Sequence, residues 1–172
     1  AVHVSCGDRI TSDTVLDSDL FCPGDGLIIT SSNITLDCAG HTIVGPGFSG
    51  DGIWNGASLN NAAVVNCNVQ KFSRGFVFFD SSFLTLTNNV AQNNGFLGFF
   101  LSGSSNNSID NNVANNNGGT GFFLELSSFN ILSNNIAQNN HKGFQFDNSF
   151  DNNITDNSAI GNILAGFQIT SA

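Results

Sequence analysis

The side chains able to do chemistry are few, and their intervals matter. Glu125 and Asp147 lie 22 residues apart, and Asp110 lies 23 residues from both Thr87 and Ser133. If the chain returns on itself with that period, such pairs meet on neighbouring coils. Two carboxylates about 5–10 Å apart are what glycoside hydrolysis requires, so Glu125 and Asp147, with Lys71 as a cation, are the candidate catalytic residues. A solvated acidic surface is the plainer expectation for all of them. The cations are Arg9, Lys71, Arg74 and Lys142. Lys71 and Arg74 share one turn, and Lys142 recurs about three coils later in what reads as a similar turn position. His3, His41 and His141 are scattered and suggest no copper or zinc pair. Asp8, Asp13, Asp17, Asp19 and Asp25 crowd the N-terminal end, as Ca²⁺ ligands would, but their spacing matches no loop motif. The expectation is therefore no cofactor and no metal, with Ca²⁺ the weak exception.

Cys6, Cys22, Cys38 and Cys67 all precede residue 68. An even count suits two disulfides in an exported chain. Of the three pairings, Cys6–Cys22 with Cys38–Cys67 is favoured because each closes a modest loop. No CxxC spacing or neighbouring His supports a metal site instead. The sequence holds no Met and begins Ala1-Val2-His3, which is read as removal of a secretory signal peptide and hence an extracellular location. Sequons at Asn33, Asn106 and Asn153 are candidate glycosylation sites, although an Asn-rich chain produces such triplets by chance.

Composition narrows the partners. The 172 residues carry a net charge of −9, with 27 Asn, 20 Ser, 19 Gly and 17 Phe. Four cations cannot track a phosphate backbone, so nucleic acid is excluded as a partner. A basic patch for anionic lipid is missing too, and no apolar run is long enough to span a membrane as a helix. Ala, Glu, Lys and Arg are too scarce to build helices.

What must position these residues is a repeat. A Gly-Phe pair recurs at Gly75, Gly98, Gly121, Gly143 and Gly166, spaced 23, 23, 22 and 23. Gly52 extends the register one unit earlier. An Asn recurs at Asn66, Asn89, Asn112, Asn135 and Asn157. Within one unit the apolar period is two, and Asn, Gly and Ser punctuate short strand-like pieces. A helix-free repeat of this size is one coil of a β-solenoid, its coils stacked about 4.8 Å apart. Four columns are expected to face inward. They are Ala63/Leu86/Ile109/Leu132/Ile154, Cys67/Val90/Val113/Ile136/Ser158, Phe76/Phe99/Phe122/Phe144/Phe167 and Phe78/Leu101/Leu124/Phe146/Ile169. The paired asparagines, such as Asn88-Asn89 and Asn93-Asn94, read as turns whose side chains form ladders. A sugar- or ion-binding amide surface is the alternative reading of the same residues. Val77, Phe100 and Phe123 alternate with the inward columns and should face out, as should the column of Phe83, Phe129 and Phe150. Exposed aromatic rows on such a scaffold are normally hidden against a glycan, a loop or another chain.

These Asn- and Gly-punctuated coils resemble the right-handed parallel β-helix repeat of pectate lyases, mannuronan epimerases and NosD-like maturation proteins. The opening Cys6-Gly-Asp-Arg-Ile-Thr, Cys22-Pro-Gly-Asp-Gly and Asn33-Ile-Thr-Leu-Asp-Cys-Ala-Gly-His resembles the N-terminal cap of secreted members. The resemblance implies an all-β, single-domain right-handed parallel β-helix. Residues 1–57 would form a disulfide-stapled cap with the first irregular coils, and residues 58–172 five regular coils. It implies little about function, because the fold hosts lyases, hydrolases, adhesins and inert stalks. The epimerases use a Tyr, which this chain lacks. The lyases set Arg or Lys beside a carboxylate cluster, which Lys71, Arg74 and Asp80 do not reproduce. The acidic surface would also repel polyuronates.

The last repeat ends at Thr170 with no capping segment after it, which is read either as a fragment of a longer chain or as an open end that pairs with another subunit. The first functional expectation is therefore a secreted structural protein that stacks on itself end to end into extracellular filaments. Phe167 and Ile169 would serve as the assembly surface, or Val77, Phe100 and Phe123 as an assembly or ligand surface. The alternative is a carbohydrate-binding or polysaccharide-processing protein on the same scaffold, with an extracellular glycan as partner. Ice binding is weaker, since Thr85, Thr87 and Thr155 make no regular array.

Overall fold

The computed structural model describes residues 3–170, which form an all-β parallel solenoid. Three parallel sheets run its length, one of eight strands and two of seven. Each coil contributes one strand to each sheet. Seven coils are complete, and the strand Ala165–Thr170 begins an eighth on the long sheet. From residue 74 onward the long-sheet strands are six residues, as in Arg74–Phe79, Leu97–Ser102 and Thr120–Glu125. The short-sheet strands from residue 27 onward are three residues. The N-terminal strands Arg9–Ile10 and Leu27–Ile29 already belong to the long sheet, so the ladder begins well before residue 57. Coil length there is irregular: Ile10 pairs with Ile29, and Ile29 with Asn55.

Two of the four expected columns face inward as anticipated. Phe76, Phe99, Phe122, Phe144 and Phe167 stack with centroids 4.6 to 4.9 Å apart and planes within 7° of parallel. The rung spacing sets that separation. The Phe78/Leu101/Leu124 column lies beside it, fully buried.

The column of Val90, Val113 and Ile136 points outward instead. Their neighbours Ala91, Ala114 and Ala137 fill the interior. The reason is steric. The glycine column approaches this wall so closely that a Cβ placed on Gly98 would lie 2.5 Å from Gly121 O and 3.1 Å from Ala114 Cβ. Only a methyl group fits opposite.

The first column also faces inward, with Leu86, Ile109 and Leu132 buried and Ile154 packed on the core, and is corrected only at its first member. Leu86 pairs with Val64, not Ala63, and Val90 pairs with Asn68. A one-residue slip reverses the face, so Val64 is buried and Ala63 is not. Cys67 consequently occupies the corner held by asparagine in later coils.

Those corners carry the ladders. Asn88, Asn111 and Asn134 adopt the left-handed conformation, with φ of 55–58°. The buried residue after each joins a chain of hydrogen bonds. The backbone N–H of Asn89 donates to Asn112 Oδ1 at 2.9 Å, that of Asn112 to Asn135 Oδ1 at 2.9 Å, and that of Asn135 to Asn157 Oδ1 at 2.9 Å. Each Nδ2 donates in the opposite direction, as Asn112 does to Leu86 O at 2.8 Å. Asn94, Asn117, Asn140 and Asn162 repeat the pattern at a second corner, and Ser81, Ser104, Ser127 and Ser149 at a third. Asparagine suits this post because it both donates and accepts.

Candidate functional site

The outer face of the long sheet carries most of the candidate residues. Its lower half is apolar but sealed. Val77 is 0% exposed and Phe100 only 8%, which corrects the expectation that this row stands open. Trp54 and Leu97 cover them, and Phe123 stacks on Phe100 at 5.2 Å. Arg74 closes the edge. Its Nε and Nη2 bind the two oxygens of Asp51 at 2.8 and 2.7 Å, and its guanidinium lies 5.9 Å from the Phe79 and Phe100 ring centres.

The upper half of the same face is polar. Glu125 and Asp147 pair in register on adjacent strands. Ser102 Oγ donates to Glu125 Oε2 at 3.1 Å. Gln145 sits at the centre, with Nε2 donating to Asp147 Oδ2 at 2.8 Å. Its Oε1 accepts from Lys142 Nζ at 3.0 Å and Thr120 Oγ1 at 3.1 Å. Lys142 thus continues the strand column that Arg74 occupies below. It does not share the turn position of Lys71, whose exposed residue takes φ 63° at a corner. Lys71 lies two coils below the strand bearing Glu125. The partner sequence reasoning missed is Gln145, which gave no signal because an outward Gln on a strand looks like solvation. Neither carboxylate lines the cavities at Phe48, Ile169 or His3. Glu125 and Asp147 thus meet on adjacent strands, as their 22-residue interval suggests, away from these three cavities.

The N-terminal aspartates have structural partners. Asp8 accepts from Ser5 N, Asp13 from Thr35 N, Asp19 from Thr42 N and Asp25 from Asp51 N, at 2.7 to 2.9 Å. His41 Nδ1 lies 3.2 Å from Asp19 Oδ1, and His3 Nδ1 3.3 Å from Asp17 Oδ1. The Thr42 N–H first, and His41 second, hold the Asp19 carboxyl below its ordinary range. Asp110 meets Ser133, as its spacing suggests. Ser133 Oγ donates to Asp110 Oδ1 at 2.6 Å and Asn134 Nδ2 at 3.0 Å, and both lower that carboxyl's pKa. Among the described residues no three His, Cys, Asp or Glu side chains come together as a metal site.

The cysteines pair as Cys6–Cys22 and Cys38–Cys67. Both bonds belong to the lower end, where they join neighbouring corners of the irregular coils. The sequon residues Asn33, Asn106 and Asn153 are all exposed.

The two ends differ. At the lower end Ile10, Leu16, Leu20 and Cys22 are buried, and Val4 packs into the same core. At the upper end Phe167 is 47% exposed and Ile169 is 64% exposed, although both continue inward columns. A cavity of about 320 Å³ opens there, lined by Phe146, Ser149, Phe150, Asp151, Asn152, Ile154 and Ile169. The ladder residues Asn152, Asn157 and Asn162 are partly exposed on this layer.

Comparison with known proteins agrees with this architecture. Neither the curated proteins nor the solved structures include a match to the chain. The family NosD, described as periplasmic copper-binding protein, matches residues 6–172. With nearly the whole chain covered, and the coils, corner ladders and sheets continuous through that span, the protein belongs to the NosD family.

Proposed function

We propose that this chain is a rigid structural β-helix of an exported protein, and that its upper coil is an assembly surface which pairs with a second copy. The observation that carries the reading is the upper layer itself. Among the described residues, Phe167 and Ile169 extend the inward columns yet stand exposed. In the regular coils below, a corner N–H is received by an asparagine or serine side chain one rung up, as Asn135 N is by Asn157 Oδ1 and Ser104 N by Ser127 Oγ. A further layer would bury the rings and receive the corner N–H groups of Asn157 and Asn162. Two disulfides support an oxidising compartment, and the family's description is periplasmic.

The covered lower end bears on the kind of assembly. Filaments grow head to tail only when both ends are complementary. Here Val4 already packs on the lower core while Phe167 and Ile169 stand exposed at the upper layer, so the two ends do not match and contact between two upper ends, a closed two-fold dimer, is favoured over a head-to-tail fibre. Analytical ultracentrifugation across concentrations, with electron microscopy, tests this. The expected result is a rod of twice the monomer length that Ile169→Asp converts to monomer. Long fibres would replace the dimer with head-to-tail stacking. A monomer at every concentration would overturn the assembly reading.

The family's description speaks of copper. The donors here do not fit it. All four cysteines are in disulfides, the sequence contains no Met, and His3 and His41 face separate aspartates.

A further inference from the structure

Residues 45–50 connect the strand Thr42–Val44 to Asp51–Asn55. Later coils make the same corner with three or four residues, as with 93–96. The longer segment climbs the outside of the solenoid. Gly47 N and Phe48 N both donate to Lys71 O, at 3.1 and 2.8 Å, on the next coil. The Phe48 side chain reaches one coil further, to Gly95, where an added Cβ would lie 2.9 Å from Phe48 Cβ. Phe48 takes φ 72°, in the left-handed region. A bulky residue there costs on the order of 1–3 kcal/mol, and at 64% exposure its burial does not offset that.

Beside it lies a cavity of about 500 Å³, lined by Phe48, Asn93, Asn94, Gly95, Asn116 and Gly118. Asn93 and Asn116 are exposed and left-handed, one rung apart. Their carboxamides make no hydrogen bond among the described residues, unlike the ladder amides Asn94 and Asn117 beside them. Gly95 and Gly118 form the floor without side chains, their N–H groups bonded to Phe72 O and Asn94 O. No charged side chain lines the cavity. An ionic ligand would find no counter-charge, and a wholly apolar one would strip water from two free carboxamides without replacing it. A ring with apolar C–H faces and hydroxyls around its edge matches both surfaces, and the volume is within the range of small-molecule sites.

We propose that this corner is a binding subsite for a neutral sugar ring, stacked on Phe48 and hydrogen-bonded by the carboxamides of Asn93 and Asn116. The subsite lies on the side of the solenoid and does not depend on the assembly of the upper end.

The test is titration of the ¹⁵N-labelled protein with cellotetraose, chitotetraose, maltotetraose and mannotetraose. The expected result is that one of them shifts the backbone signals of Gly95 and Gly118 and the side-chain amide signals of Asn93 and Asn116. Phe48→Ala should weaken that binding at least tenfold, Asn116→Ala should weaken it several-fold, and Phe48→Trp should retain it. Ile169→Asp should leave the affinity unchanged, which separates this proposal from the assembly reading. Because Phe48 is exposed, the thermal midpoint of Phe48→Ala should match that of the parent chain. The proposal is overturned if no oligosaccharide moves these signals, if the shifts fall instead on the Phe123 and Gln145 face, or if Phe48→Ala binds as the parent does.

Discussion

The lower and upper ends of this solenoid solve one problem by different chemistry. Backbone N–H groups beside the corners need acceptors from a neighbouring coil. In the lower coils three strand-opening N–H groups, of the kind that later coils give to a backbone carbonyl, are received by an aspartate one rung below: Asp13 receives Thr35 N, Asp19 receives Thr42 N and Asp25 receives Asp51 N. In the upper coils the corner N–H itself is received by an asparagine one rung above, as Asn112 receives Asn89 N. A carboxylate only accepts, so it ends a chain of hydrogen bonds and stays near solvent, where its charge is hydrated. A carboxamide accepts and donates, so it passes the bond onward and can be buried. The aspartates suit coils of changing length closed by disulfides. The asparagines suit coils of 22 or 23 residues, which can stack without a built-in stop.

The sharpest way to break the comparison is to remove one stacked ring at two heights. Phe122→Ala deletes a fully buried ring between Phe99 and Phe144, and should cost about 3–5 kcal/mol. Phe167→Ala removes the same side chain from the upper layer, where it touches one ring and is half exposed. Its cost should stay under about 1.5 kcal/mol at concentrations where the protein is monomeric. Denaturant midpoints measure both. Equal losses would mean that the upper layer is already covered in solution.

Next in size is the covalent staple. Cys38–Cys67 closes a loop of 29 residues in sequence, and its removal should cost about 3.5 kcal/mol on the chain-entropy account. Cys67 holds the corner where later coils have Asn, and its own N–H donates to Asn89 Oδ1 at 3.0 Å. Cys38→Ala with Cys67→Asn should therefore lose less than Cys38→Ala with Cys67→Ala, because the amide extends the ladder one rung downward. Calorimetric unfolding of the two double variants decides the point.

The ladder gives a smaller contrast. Asn112→Ala leaves Asn89 N without its acceptor in a dry corner and removes the side-chain bond to Leu86 O, for about 2–3 kcal/mol. Asn157→Ala leaves Asn135 N equally without its partner, but beside solvent that can replace the acceptor. Its loss should be about 1 kcal/mol or less. Amide hydrogen exchange at Asn89 and Asn135 in the two variants shows whether water reaches either site.

The same contrast explains what sequence reading could reach. The Gly-Phe column was legible because both halves are compulsory. Gly98 abuts the carbonyl of Gly121, and no other residue fits. The Asn pairs were legible because left-handed corners favour Asn. The Val90 column was misread because both faces of Val-Ala-Gln offer an apolar residue, and only the width of the interior selects the alanine. Val77 and Phe100 do face outward. Their burial depends on Trp54 and Leu97 spreading across them, which alternation alone does not encode. The first repeat slipped by one residue because its coil is a residue shorter than the next. The Phe48 corner gave no repeat signal at all, since residues 45–50 have no counterpart in later coils.

The finest probe of the comparison is an aspartate placed among the asparagine coils. Asp110 stands on the outer side of the middle coils and is held by Ser133 and Asn134. These bonds favour the ionised form, so its folded pKa lies below the unfolded value. The sign follows from linkage. The group's contribution is fully present above the unfolded carboxylate pKa and is lost as pH falls through the folded one. Ser133→Ala removes the largest cause and should raise the Asp110 pKa toward its ordinary value, read by NMR titration of the carboxyl carbon. Acid unfolding of this variant should then show a shallower fall in stability at low pH than the parent, with a smaller difference between the two below the folded pKa than at neutral pH. If Asp110 titrates identically with and without the Ser133 hydroxyl, outward aspartates on these coils are merely solvated, and the division of labour between carboxylate and carboxamide holds only at the lower end.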